Sequence, residues 1–418
     1  MSVDLLIAGG GLAGLAAAAR ATDLGLSVMV VEKGDAVGGS AALSAGIVWT
    51  APDLQTARRV APEGDPALQR ALVEGFEPAV QRVRDLGVAV SERWSGQMGF
   101  GVAYHVDMPS LLAALRARAG AVRLRTAVRA LCAGGARLDD GTEVHAGAVL
   151  LATGGFQGDP DLVKTFIGPH ADAMPVRSNP GSVGDGLRIG RAAGASLSGR
   201  LGRFYGHLIP DRIDGFGPDR YLPLTQYHSR HAILVNLDGR RFTDESLGDE
   251  TSNQLLLCQR DGRGVLLCDE RVRREHALGA PYPHGQVVDR FAAAAEAGAR
   301  LVSAGALAEL VEAIGAWGVD TGEVARTVAD SAVLREPPFH ALAVAPCITF
   351  TFGGLRVDPD GRVLDAAGRW VGNLYAAGAD AGGLQGPGYL GGLALGLVFG
   401  PRAADAIAAG SAAARGSR

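Results

Sequence analysis

Glycines at positions 9, 11 and 14 stand between an apolar run, residues 5–8, and an alanine-rich stretch, and a second apolar run, residues 28–31, ends in Glu32. The order strand, glycine turn, helix, strand, acid is chemistry for a nucleotide. Gly9 permits the tight turn, Gly11 lets the backbone approach a pyrophosphate at the positive end of the helix, and Gly14 lets that helix pack closely on the strand. Glu32 is placed to accept hydrogen bonds from ribose hydroxyls. Groups able to handle a proton are sparser. Asp249-Glu250 can work as acid and base if burial raises a carboxylate, or can be a solvated loop that caps the next helix. Arg230, beside His231 and just before a strand, either contacts a substrate or pairs on the surface. His228 and His231 lack the acidic partner that a metal site needs, so no metal is expected.

The elements that must position these groups follow an α/β rhythm at both ends of the chain. Periodicity predicts helices over residues 66–86 and 109–119, and alternation predicts a strand over 122–128. Asp140-Gly141 makes a hairpin turn, and the continuous apolar run 148–152 reads as a buried parallel strand ending in Thr153-Gly154-Gly155. Between about 156 and 340 this rhythm is lost to loops, aromatics and histidines. Within it, residues 232–236 form a hairpin-like strand turning at Leu237-Asp238-Gly239, and the alanine-rich stretch 288–316 reads as helical. After Pro337-Pro338 strands resume, with one at 373–378 and a closing helix at 393–409. The organisation expected is therefore a nucleotide-binding domain split over 1–155 and 341–418, with a second domain, 156–340, inserted.

Composition excludes several classes. With 47% hydrophobic and 20% charged residues the chain reads as a globular protein with a large core. A net charge of −4 gives no basic surface for nucleic acid or an anionic membrane. The four cysteines, Cys132, Cys258, Cys268 and Cys347, show no CxxC spacing, which points to reduced thiols and a cytoplasmic setting. The chain starts directly with a strand, leaving no room for a signal peptide. Residues 381–400 carry no charge, but eight glycines and Pro387 suit a buried loop and helix better than a lipid-exposed span.

Taken together, several segments resemble the flavoprotein family of fumarate reductases, succinate dehydrogenase flavoprotein subunits, 3-ketosteroid dehydrogenases and tricarballylate dehydrogenase. The carriers are the N-terminal glycine unit, Glu32-Lys33 with Gly38-Gly39, and Ala152-Thr153-Gly154-Gly155-Phe156. They continue with Gly184-Asp185-Gly186, Val235-Asn236-Leu237-Asp238-Gly239-Arg240-Arg241-Phe242, Thr351-Phe352-Gly353-Gly354, and Leu374-Tyr375-Ala376-Ala377-Gly378-Ala379-Asp380 with Gly382-Gly383. The resemblance covers nearly the whole chain. It implies a Rossmann-like FAD-binding domain of the GR2 type with an inserted α+β domain capping the isoalloxazine ring. The implied FAD-binding set is Gly9, Gly11, Leu12, Ala13, Gly14, Glu32, Lys33, Gly39, Ser40, Ser44, Ala45, Gly46, Val128, Ala152, Thr153, Gly154, Asp185, Gly378, Asp380 and Leu393. Within it, Val128 would contact adenine through its backbone, residues 44–47 would lie near flavin N5, and Asp380 would stand where the family commonly has a glutamate near the ribityl chain. The loop 40–47 has no histidine for a covalent link, so noncovalent FAD is expected.

Three departures from the fumarate reductase pattern bear on the substrate. Thr349-Phe350 replaces a histidine, Tyr389 stands where a carboxylate-binding arginine precedes the late glycine pair, and no arginine follows Arg241-Phe242-Thr243-Asp244-Glu245. A dicarboxylate without cations would leave its charges uncompensated. The expectation is an FAD-dependent oxidoreductase interconverting CH–CH and C=C next to a carbonyl, in the direction of dehydrogenation, on a neutral, ketone-like and cyclic substrate. Such chemistry needs a base for the α-proton and a donor for the developing enolate. Tyr389, helped by backbone N–H groups of Gly391-Gly392, is the candidate donor, or else a packed aromatic. Asp249 or Glu250 falls near the family's proton-shuttle position, and His207 lies where members show a substrate-facing histidine. Two alternatives stay open: a carboxylate substrate of the tricarballylate or enoate type, bound by Arg230 or Arg203, and a flavin-binding protein without turnover. One nucleotide unit is visible, so electrons are expected to pass to or from a small-molecule substrate, oxygen, a quinone or a partner protein.

Overall fold

The computed structural model describes residues 2–283, 285–329 and 331–416. The chain divides into two units: 1–162, 178–203 and 350–418 in the first, 163–177 and 204–349 in the second. Residues 178–203, assigned by sequence to the inserted domain, pack with the first unit.

The first unit is built on a sheet whose parallel core runs Ala121–Arg123, Val28–Val31, Ser2–Ala8, Glu143–Leu151, Trp370–Ala376. The pairing Ile7↔Val30 on one side and Ile7↔Leu150 on the other buries the N-terminal strand completely from Leu5 onward. This is the doubly wound α/β order. It reverses direction between Ser2–Ala8 and Glu143–Leu151, and ligands of such sheets bind beyond the carboxyl ends of strands at that switch point. The strand ends are linked there: Ala152 N–H donates to the Ala8 carbonyl and Ala377 N–H to the Leu151 carbonyl.

Helix Leu12–Asp23 is alanine-rich because it is crowded; every residue from Leu12 to Ala19, and Ala21, is buried. The closing helix Gly392–Gly416 lies against it, and Gly396 and Gly400, one turn apart, are the contact. A Cβ on Gly400 would collide with the Ala13 carbonyl, and one on Gly396 would press on Ala13 and Leu12. This helix is long and apolar enough to cross a membrane, yet two thirds of its residues 392–412 are buried within the protein (67%).

In the second unit an antiparallel sheet joins Leu208–Pro210, Phe339–Pro346, Gly264–Asp269 and Ile233–Asn236, with Leu301–Ala304 also on Phe339–Pro346. Alternation sends Ile233, Val235, Val265 and Leu267 to one apolar cluster and Leu234, Leu266, Leu342 and Val344 to another. Both faces are therefore covered.

Two local expectations are corrected. Residues 122–128 are not one strand. After Ala121–Arg123 the chain turns through Arg125 (φ 51°), whose N–H donates to the Gly34 carbonyl, and pairing resumes at Val128–Cys132. The stretch 288–316 is not one helix either. Arg290–Glu296 ends at Gly298 (φ 76°), and Leu301–Ala304 is recruited by the sheet, paired with Phe339–Pro346, before Leu307–Ile314. Tertiary pairing there overrides alanine's helix preference.

Candidate active site

Each glycine of the N-terminal motif has its expected steric reason. Gly9 has φ 105°, and a Cβ there would strike the Ala152 carbonyl; a Cβ on Gly14 would strike the Gly9 carbonyl. Around Gly11, by contrast, a Cβ would meet nothing within 4 Å. That open space lies at the N-cap of Leu12–Asp23, a helix whose first turn has no side-chain cap, so its N–H groups face it. The two Glu32 oxygens are fixed by Gly10 N–H and Gly34 N–H, each at 2.7 Å, and each oxygen keeps a lone pair for a further donor.

The other predicted binding residues gather at the same strand ends. Gly39 (φ 52°) approaches Gly11 so closely that a Cβ would sit 3.3 Å from its Cα. Ser40 Oγ accepts the Asn179 N–H, Lys33 pairs with Asp185 at 2.5 Å, and Gly46 N–H donates to Ser44 Oγ at 3.3 Å. Thr153 donates its N–H (2.5 Å) and its hydroxyl (3.0 Å) to Asp380, and its Oγ1 accepts the Gly186 N–H. Burial pushes Asp380 up to about 7, against those hydrogen bonds. Gly154 (φ 92°) and Gly378 (φ 67°) complete the turns, and Leu393 lies in the first turn of the closing helix. Val128 opens the strand of a bulged hairpin opposite Leu138. The cradle thus offers unsatisfied helix N–H groups, an oriented carboxylate and a volume that side chains leave open, the three features a dinucleotide requires.

Also in the first unit, the Tyr389 ring stacks on Phe352 (6.0 Å, 2°) and meets the edge of Trp49 (5.4 Å, 74°). Its hydroxyl oxygen accepts the Gly392 N–H at 2.5 Å, at the start of the closing helix. The two sequence readings of Tyr389 merge: a packed ring carrying an oriented hydroxyl. One detail is corrected. The Gly392 N–H is not an independent donor beside Tyr389, because it is spent on the Tyr389 oxygen.

The second unit assembles a buried polar cluster. Gly248 (φ 96°) caps helix Asp249–Leu257, which begins with the two acids. The preceding loop is fastened by Glu245, which accepts the Leu234 N–H at 2.8 Å and pairs with Arg241. Asn253 fastens the helix to the backbone of Cys347 with two hydrogen bonds. Asp249 is therefore 4% exposed, which overturns the solvated-loop alternative. His207, 1% exposed, places Nδ1 2.6 Å from Asp249 Oδ2, and its ring lies between Tyr205 (4.8 Å) and Tyr227 (5.3 Å).

Burial sets the protonation states. It raises Asp249 to about 7, despite a hydrogen bond from Glu250 and the charge of Arg177. Burial, then the neighbouring Asp249 charge, raises Glu250 to about 8. Burial lowers His207 to about 3, so its imidazole is neutral. The two hydrogen-bonded acids titrate as a coupled pair that can give or take a proton near neutrality. His207, Asp249 and Glu250 each bring a ligand atom within 4.8 Å of the others. The 2.6 Å contact is that of a shared proton; two ligands on one metal ion lie roughly 3 Å or more apart.

Arg230 is not brought to this cluster. It is exposed, and its guanidinium donates to the Ser246 carbonyl at 3.2 Å. Arg203 falls in the first unit. Sequence reasoning instead missed Arg177, whose N–H donates to the Ile348 carbonyl and whose guanidinium approaches the Tyr227 hydroxyl (3.4 Å) and the Tyr221 ring (5.5 Å). No spacing around residue 177 signals this; only the fold joins it to 227 and 348.

A profile of the family described as "FAD binding domain" matches residues 4–395. The chain is 28% identical to the fumarate reductase (cytochrome) of Shewanella frigidimarina, over 97% of this chain and 77% of that protein. It is 26% identical to the 4-oxocyclohexanecarboxylate 2-dehydrogenase of Sinomonas cyclohexanicum, over 95% and 90%. The crystal structure of 3-ketosteroid delta1-dehydrogenase from Sterolibacterium denitrificans superposes with a TM-score of 0.74 at 20% identity, covering 98% of this chain and all of that one (100%).

Proposed function

The chain belongs to the FAD-binding domain family and is an FAD-dependent oxidoreductase of CH–CH and C=C groups, and from that premise we propose that it dehydrogenates a ketone-like substrate beside the carbonyl. The observation that carries this reading is the pair of buried Asp249 and half-buried Glu250 against neutral His207, with its proton affinity lifted into the range a general base needs at neutral pH.

Gly11, the first turn of Leu12–Asp23, Glu32, Thr153 and Gly378 would hold FAD noncovalently. FAD, when bound, supplies the acceptor for the hydride that leaves the β-carbon. The α-proton passes to an ionised carboxylate of the acid pair, and the electrons of that C–H bond form the new double bond. His207 holds Asp249 at 2.6 Å and, being neutral, does not quench its basicity as an imidazolium would. Tyr389, whose oxygen is fixed by the Gly392 N–H, donates a hydrogen bond to the carbonyl oxygen as enolate character develops. Phe350 and Tyr389 carry no charge to compensate a dicarboxylate, which argues against fumarate or succinate.

Anaerobic mixing of the FAD-loaded protein with saturated ketones tests the reading: the yellow flavin absorbance bleaches and the α,β-unsaturated ketone accumulates in equal amount. If ketones leave the flavin oxidised while dicarboxylates bleach it, the reading is wrong.

A further inference from the structure

Arg177 is an arginine that the fold does not satisfy. Its Nε is sealed from solvent without a partner, and its hydrogen bond to the Tyr227 hydroxyl is long, at 3.4 Å. Among the described residues no carboxylate lies within ion-pair distance of it. Burial opposes its charge, yet the Tyr227 and Tyr205 oxygens facing it keep it protonated. Arg290, in the same unit, shows how a structural arginine is treated: it donates to the carbonyls of Thr225, Ala277 and Gly279 and lies over the Tyr227 ring.

Two more polar atoms near Arg177 are sealed and unserved, His207 Nε2 and Thr349 Oγ1. The backbone gathers all three: Arg177 N–H donates to Ile348, Thr349 N–H to Tyr205, and Cys347 N–H to His207. With its Nδ1–H given to the ionised Asp249, His207 presents Nε2 as an acceptor only. The guanidinium Nε–H and the Thr349 hydroxyl are then donors without an acceptor, and a fold retains such groups only at a cost that a ligand can remove.

We propose that Arg177, with Thr349, binds a single carboxylate on the substrate, so that the compound oxidised is an oxo-acid rather than a neutral ketone. This deepens the proposed reaction and rests on it. Arg177 is a specificity-determining residue here, apart from the proton-transfer pair. One guanidinium with one neutral donor suits one carboxylate; a dicarboxylate would need a second cation.

The test uses the FAD-loaded enzyme with 4-oxocyclohexanecarboxylate and 4-oxopentanoate, the methyl ester of each, and inorganic phosphate. Affinity is read from the ligand-induced shift in melting temperature, and turnover from flavin bleaching. For at least one pair the acid binds the wild type tenfold or more tighter than its ester. Arg177→Met abolishes that preference, does not lower the melting temperature of the ligand-free protein, and still bleaches with the ester; Arg177→Lys keeps part of the preference. Equal binding of acid and ester in both pairs, an acid preference that survives Arg177→Met, or stabilisation by phosphate alone overturns the proposal. Equal binding of esters and acids, with bleaching by both, would discard the carboxylate site and leave the ketone reaction standing. Arg177-dependent acid binding with no bleaching by any ketone would keep the site and discard the reaction.

Discussion

A few side chains do the chemical work, and their burial decides what they can do. Asp249 and Glu250 would be ordinary ionised acids in water; against His207 they hold a proton up to about pH 7 and 8. Asp249→Asn removes the base and should slow substrate-dependent flavin bleaching by about 10²–10⁴-fold while FAD stays bound. In the wild type, bleaching should accelerate from pH 6 to 8 as the pair loses its first proton, and stopped-flow rates across that range check the sign. Tyr389→Phe should slow bleaching by about 10²-fold or more and leave FAD retention unchanged, read by the flavin spectrum after gel filtration. At this scale Glu32 stands out by its neighbours alone, and Tyr389 and Asp249-Glu250 stand out by their places in the motifs of the resembled family. Arg177 did not, because residues 177, 207, 227 and 349 meet only through backbone pairing around Ile348.

Between elements, glycine marks two kinds of closeness that a substitution can separate. Gly14 is pressed on the Gly9 carbonyl, whereas Gly11 faces open space with an ordinary φ of −73°. Gly14→Ala should therefore destabilise even the FAD-free protein, by about 1–3 kcal/mol for an overpacked contact. Gly11→Ala should leave the FAD-free protein within about 0.5 kcal/mol of wild type and weaken FAD binding. Urea melts of both apoproteins, with FAD titrations, distinguish the two. The elements most legible in the sequence were those with one face to bury and a turn to end them: the parallel strands, Pro66–Asp85 after its Asp65 cap, and the closing helix. Those misread, at 122–128 and 288–316, are places where pairing with another part of the sheet decided the outcome and composition did not.

Across the whole molecule, buried ionisable groups tie stability to pH. Asp249, Glu250 and Asp380 bind protons more tightly folded than unfolded, so each removes stability as pH climbs from its ordinary value toward 7 or 8. His207 and His228, held near 3, and His231, held near 4, act oppositely: their contribution grows up to the ordinary histidine value near 6.5 and is constant above it. The two trends offset one another between about pH 4.5 and 6.5, and only the acids' loss continues to pH 8. Denaturation free energy should then be nearly level over the first range and fall over the second, and a urea series at half-unit intervals shows it. Bound FAD should raise the melting temperature in a concentration-dependent way. The doubly wound order was legible early, because it rests on repeated strand and glycine patterns. The fine course of 163–177 and 204–349 was not, because its sheet is assembled from strands far apart in sequence.

The central claim is that a carbon–carbon bond beside a carbonyl is oxidised with proton removal by the Asp249–Glu250 pair. Anaerobic flavin bleaching by a ketone or oxo-acid that turns over, compared with its α-deuterated form, tests it most directly. The account predicts slower bleaching with deuterium, at rates that rise through pH 7 in the wild type and lose that pH dependence in Asp249→Asn. An equal rate with both isotopologues, or an unchanged pH profile and rate in Asp249→Asn, would contradict it.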